Sequence, residues 1–185
     1  MEFFDVVTED GEPTGETVSR ELAHRDGIPH RTTHVWVVRE DGSGGHQILL
    51  QKRSRDKDSF PGLYDTSSAG HIPAGDEPAA SALRELQEEL GITATEDQLA
   101  YAGRIRIRYE KVFHGRPFRD DEVIEVYVYT QPVRTEELVL QASEVEEVRW
   151  FDLEEVWEEL ERGSERLCVP KEGLKLLRDW LADNT

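Results

Sequence analysis

The sequence predicts an α/β chain built around a mixed β-sheet, and three observations carry that reading. Short β-branched and aromatic runs such as THVWVVR at residues 33–39 have strand character. The segment from Asp76 to Leu90 instead places Ala79, Ala82, Leu83, Leu86 and Leu90 at offsets of three and four, the stripe of a core-facing helix. Strands and helices then intermix from end to end with no repeat, low-complexity tract or linker, so residues 1–185 are expected to form one domain.

Taken in order, Phe3 to Val7 and Thr14 to Val18 flank the turn-rich Asp10-Gly11-Glu12-Pro13 and predict an opening hairpin. Ser19 is placed to cap a short helix through His24. Thr33 to Arg39 and Gln47 to Lys52, joined by Gly42-Ser43-Gly44-Gly45, predict a second hairpin. Lys52 to Lys57 is the one dense basic cluster; it reads either as a solvated loop or as an anion-facing edge. Tyr64 to Ala69 reads as one short strand ending at Gly70.

In the central helix, Pro78 falls in the first turn, where its missing N–H costs nothing. Asp76 and Glu77 complement the positive end of the dipole, and Gly91 stops the helix as the C′ residue. Leu99 to Tyr109 alternates Ile105 and Ile107 with Arg104, Arg106 and Arg108, a half-exposed strand. Those arginines either contact phosphate or balance charge on a sheet face, and charge balance is the preferred reading. Val123 to Thr130 is another strand. Glu147 to Phe151 leads into an acidic amphipathic segment, Leu153 to Leu160, and Val169 to Leu181 closes the chain as a packing helix.

Forty acidic residues against 22 basic ones give a formal charge of −18. Such a field opposes nonspecific contact with nucleic acid or a membrane surface, so neither is expected as a partner. An anionic substrate would need a local basic patch or metal ions. Cys168 is the only cysteine, which excludes an intrachain disulfide and a Cys-based metal site. The stretch MEFFDVVTED lacks the pattern of a signal peptide, and no apolar run reaches membrane-span length, so a soluble cytoplasmic protein is expected.

The chemistry concentrates in Gly70 to Ile92, GHIPAGDEPAASALRELQEELGI. On a helix, Glu85, Glu88 and Glu89 share one side, where like charges repel by about 0.2–0.5 kcal/mol per pair. A hard divalent cation, Mg²⁺ or Mn²⁺, would relieve that repulsion; a solvated acidic face is the alternative.

The register of the whole stretch resembles the Nudix box: glycine, five residues, Glu, seven residues, then Arg-Glu-apolar-any-Glu-Glu-any-Gly-apolar. Gly70, Arg84, Glu85, Leu86, Glu88, Glu89, Gly91 and Ile92 match, and Asp76 stands where the pattern has Glu. Chance would align these positions on the order of once in 10⁷ starts. His30-Arg31-Thr32-Thr33-His34-Val35-Trp36, Gln51-Lys52-Arg53-Ser54 and Trp150 are further similar to the Nudix branch related to isopentenyl-diphosphate isomerase. That similarity covers most of residues 3–151.

The resemblance implies a Nudix-type α/β/α sandwich with a mixed β-sheet and a catalytic loop–helix–loop. It implies a Mg²⁺- or Mn²⁺-dependent hydrolase that cleaves the pyrophosphate bond of a nucleoside diphosphate derivative or similar small molecule, working as a monomer or homodimer. Carried over, Glu85, Glu88 and Glu89 become metal ligands with the carbonyl of Gly70, and Arg84 orients the carboxylates. Glu88 or Glu89 is a candidate general base, and the downstream Glu122, Glu125 and Glu144 are candidates for the base or for another metal ligand, with Glu122 preferred among these. Lys52, Arg53 and Arg55 are where the distal phosphate would be sought. Tyr64, Trp36, Phe113 and Tyr109 either stack a base or pack the core, and packing is preferred. The isomerases resembled here use a cysteine on the strand before the box, but Asp65 to Gly70 holds none. Noncatalytic modules of the family usually lose the box carboxylates, which this chain keeps.

Overall fold

The computed structural model describes residues 1–185. The opening hairpin forms as β1 (Phe3–Val7) against β2 (Pro13–Ser19). Helix α1 (Arg20–Asp26) follows, and its first turn is capped by Ser19 Oγ, which accepts from the Leu22 N–H at 3.3 Å. Then come β3 (His30–Glu40), β4 (His46–Arg53), β5 (Tyr64–Asp65) and β6 (Ser68–His71). Helix α2 (Pro78–Leu90) is followed by the long hairpin β7 (Leu99–Phe113) and β8 (Arg116–Tyr129), then β9 (Val145–Asp152), α3 (Leu153–Arg162) and α4 (Lys171–Asn184).

A seven-stranded mixed sheet runs β5-β4-β3-β8-β7, with β6 also pairing β3 and β9 pairing β4. Strand β3 is antiparallel to β4 and β6 but parallel to β8. Alternation along β3 builds the two faces. Val35 and Val37 join Leu49 and the buried Ala82, Leu86 and Leu90 of α2. Trp36 and Val38 join Ile48, Leu50 and the buried leucines Leu174, Leu177 and Leu181 of α4. Each such leucine, buried almost completely, contributes about 1.5–3 kcal/mol. The α/β/α sandwich with a mixed sheet is therefore the observed architecture.

Several local expectations change: β7 runs on past Tyr109 to Phe113, β8 starts at Arg116 and not Val123, and α4 starts at Lys171, after Pro170. Residues 64–69 form not one strand but two, because Thr66 and Ser67 cross between β4 and β3. There the Ser67 hydroxyl accepts from the Val37 N–H at 2.8 Å and donates to the Leu49 carbonyl, replacing ladder bonds. Helix α2 begins at Pro78 and not at Asp76, since the proline ring forces the preceding residue out of the helical region and Glu77 is extended. At the other end Gly91 is left-handed. Its N–H bonds to the Gln87 carbonyl, closing the helix with an αL cap, and the Ile92 N–H bonds to the Leu86 carbonyl. No helix is long and apolar enough to cross a membrane.

Candidate active site

A cavity of about 480 Å³ opens beside β6 and α2, and Gly70, Glu85, Glu88 and Glu89 all line it. Gly70 is required there by close approach: a Cβ on it would overlap the Glu85 carboxylate. Arg84 reaches along the same rim. Its Nη2 donates to Glu85 Oε1 at 3.0 Å and to the His71 carbonyl at 3.3 Å, and its Nε lies 3.9 Å from Glu88 Oε1. Its Nη1 donates to Asp76 Oδ2 at 3.3 Å. Asp76, standing before the helix start, thus partners Arg84 and is not part of the first turn.

The three carboxylates are not equivalent. Glu88 is exposed, whereas Glu89 is only 4% exposed. Burial, reinforced by the charge of Glu85, pushes the Glu89 carboxyl up to about 8, and burial raises Glu85 as well. Gln51 donates its amide to Glu89 Oε2.

A second constellation was not evident from spacing. His24, His30, His71 and Glu122 each bring one ligand atom to within 4.8 Å of the others. Strand register does this: His30 stands opposite Glu122 on β3–β8, and His71 opposite Thr32 on β3–β6. Asp120 Oδ1 lies 3.6 Å from His24 Nε2 and 3.7 Å from His30 Nε2, too far for good hydrogen bonds. Phe4 stacks on His30 and His71, and Phe118 on His24, which holds the rings in place. Burial lowers His24 to about 3 and His71 well below its ordinary value. The Glu122 carboxyl is raised by burial and then by the neighbouring Asp120.

The three His Nε2 atoms and Asp120 Oδ1 are buried without a hydrogen-bond partner, which is costly unless another group satisfies them. Imidazoles with unpartnered nitrogens and adjoining carboxylates fit a divalent transition metal, whereas the all-oxygen set at Gly70 and the box fits Mg²⁺ or Mn²⁺. The sequence signal that could have found the first set is slight. Three of six histidines converge, and of these only His71 sits beside the box glycine.

The basic cluster divides. Arg53 lines the cavity but is tethered, donating from Nε to the Ser59 carbonyl at 2.9 Å and from Nη1 to Asp65 Oδ2 at 3.2 Å. Lys52 and Arg55 do not line it. Strand alternation separates Lys52 from Gln51 and Arg53 and leaves it 3.6 Å from Glu146, while Arg55 is exposed on the following turn. Lys57, which spacing did not single out for phosphate, does line the cavity and pairs with Glu144.

Arg104 and Arg106 are spent on cross-strand partners, Glu125 at 2.7 Å and Asp121 at 2.8 Å, so Glu125 is occupied too. Of the four aromatic candidates only Tyr109 lines the cavity, with Phe60 and Phe118 beside it. Cys168 also reaches the wall, and burial raises its thiol well above the ordinary value.

With this geometry in hand, the comparisons are specific. The NUDIX domain family matches residues 28–170. Nudix hydrolase 3 of Arabidopsis thaliana is 44% identical over 156 residues, 83% of this chain but only 20% of that protein. An isopentenyl-diphosphate Delta-isomerase of Dinoroseobacter shibae is 34% identical over 144 residues, covering 78% of this chain and 76% of the isomerase. A crystal structure from Deinococcus radiodurans superposes with a TM-score of 0.67 at 17% identity, covering 96% of this chain and 98% of that one.

Proposed function

The chain belongs to the Nudix family, and on that premise we propose that it is a divalent-metal-dependent pyrophosphohydrolase of a nucleoside diphosphate derivative or similar organic pyrophosphate. One observation carries the reading: the box carboxylates, the partnerless imidazoles of His24 and His71 with Glu122, and the cations Lys57 and Arg53 face a single cavity. We take residues 1–185 as one domain, acting on a small molecule in the cytoplasm as a monomer or homodimer.

In this reading Glu85, Glu88 and Glu89 with the Gly70 carbonyl would hold Mg²⁺ or Mn²⁺, and His24, His30 and His71 would hold a second divalent ion. Bound metal supplies charge neutralisation on the phosphate oxygens and a more acidic water. The chain's own residues do the rest. Arg84 fixes the Glu85 and Glu88 carboxylates. Lys57 leaves Glu144 for a substrate phosphate, and Arg53 braces the loop through Ser59. Glu122, its carboxyl raised, takes a proton from water at Oε1, the oxygen not engaged by Thr32, whose Oγ1 donates to Oε2 at 3.2 Å. Glu88 and Glu89 are the alternative bases.

A panel of nucleotide diphosphate derivatives and prenyl diphosphates, assayed for phosphate release with Mg²⁺ and then Mn²⁺, tests the proposal. No release from any member would overturn it. A second reading, isomerisation of a five-carbon isoprenoid diphosphate, draws on one observation: the Cys168 thiol lies in the cavity wall and is protonated. The stretch from Asp65 to Gly70, where the resemblance to the isomerases implies a cysteine, has none, and so the hydrolase is preferred. Dimethylallyl diphosphate formed from isopentenyl diphosphate would reverse that preference.

A further inference from the structure

Gln51 is 3% exposed in the middle of β4, a costly place for a carboxamide unless both of its ends are used. Its Nε2 donates to the Ser67 carbonyl at 3.1 Å and to Glu89 Oε2. The amide orientation follows from the partners: a backbone carbonyl only accepts, so nitrogen and not oxygen must face it. Ser67 is itself immobilised, because its hydroxyl bridges the Val37 N–H of β3 and the Leu49 carbonyl of β4. A continuous chain of hydrogen bonds thus runs from two central strands through Ser67 and Gln51 to one carboxylate oxygen on α2.

We propose that Gln51 is the positioning residue for Glu89, holding Oε2 so that Oε1 is the oxygen presented to a metal ion in the cavity. The inference rests on the reading of Glu89 as a metal ligand and extends it to a residue outside the box. A neutral amide suits the task. A lysine or arginine at residue 51 would also bind the carboxylate, but its charge would compete with the cation. An apolar side chain would leave a buried carboxylate free to turn and with no donor to favour ionisation. Glu85 and Glu88 are paired with Arg84 at the rim; Glu89, buried beside Glu85, is not paired with Arg84 and takes its donor from Gln51.

The test compares wild type, Glu89→Gln and Gln51→Met, which keeps volume and loses the donor. Mn²⁺ is titrated into each protein, with free Mn²⁺ read by electron paramagnetic resonance, and each metal-free protein is melted. The site of interest is the one that Glu89→Gln abolishes. Gln51→Met should weaken Mn²⁺ at that site about 10–100-fold, with kcat falling and KM for the substrate unchanged. Wild-type Mn²⁺ affinity in Gln51→Met would overturn the proposal. Should that variant fail to fold, Gln51→Asn keeps an amide but falls a methylene short of Glu89, and should show the same weakening. Binding in Glu89→Gln equal to wild type would sink the metal-ligand reading itself, a result distinct from failure at Gln51 alone.

Discussion

Gly70 and Glu85, fifteen positions apart, approach so closely that a single methyl on the glycine would occupy the space of the carboxylate. The glycine is therefore a steric requirement of the helix that follows, and not of its own backbone conformation. Gly70→Ala should fold, because the Glu85 side chain can rotate away, but the carboxylate will then point out of register. Turnover should drop by about 10²-fold, the cost of an ångström-scale misplacement, with little change in melting temperature. Circular dichroism with a steady-state assay checks this.

Glu85→Gln and Glu89→Gln remove one negative charge each and almost no volume. Both should lower turnover by two or more orders of magnitude while leaving the far-ultraviolet spectrum intact. Near wild-type rates in both variants would dismiss the assignment of these carboxylates to the metal.

The divided basic cluster makes a contrast that one plate of assays can read. Lys57→Met should raise KM for a pyrophosphate substrate about 10–100-fold, the loss of one charge-assisted contact of roughly 1.5–3 kcal/mol. Lys52→Met and Arg55→Met, whose side chains lie outside the cavity, should leave KM within about twofold, as surface ion pairs are worth little. Equal effects from all three would mean the cavity does not select among these cations.

The metal-free protein should show opposed pH slopes. Glu89 carries a folded value of about 8 against an ordinary 4.5, so between those values the folded state binds a proton that the unfolded chain has released. Stability from this group falls as pH rises through that window. His24, at about 3 against 6.5, works the other way: the unfolded chain binds the extra proton, and stability falls as pH drops from 6.5 towards 3. Glu89→Gln removes the first slope, so its melting temperature should decline less than that of wild type between pH 6.5 and 8. Parallel curves for the two proteins would count against a buried, proton-holding Glu89.

Most strands and all the main helices were legible, because each rests on contacts within a few residues. Ser19 caps the turn it precedes, Gly91 ends the helix it follows, and Val35 to Val38 alternate faces by the pleat alone. Apart from the start of α2, which the neighbouring Pro78 sets, the misreadings below share the opposite cause. The break between β5 and β6 depends on the Ser67 hydroxyl bonding to β3 and β4 together. The run Lys52-Arg53-Ser54-Arg55 looks like one basic patch in sequence, yet the pleat and the following turn send its cations to different places. The histidines carry no periodicity, and nothing local relates His24 to His71.

By itself, then, the sequence determined the α/β class, the face of α2 that packs, and the Gly70 to Ile92 pattern that marks the family, since helical and strand periods are properties of neighbouring residues. Only the tertiary structure decided that His30 stands across from Glu122, that Gln51 reaches Glu89, and that Lys57 rather than Lys52 faces the cavity. Those relations are set by strand register and helix docking between segments far apart in the chain, where a shift of one residue would turn each side chain to the other face.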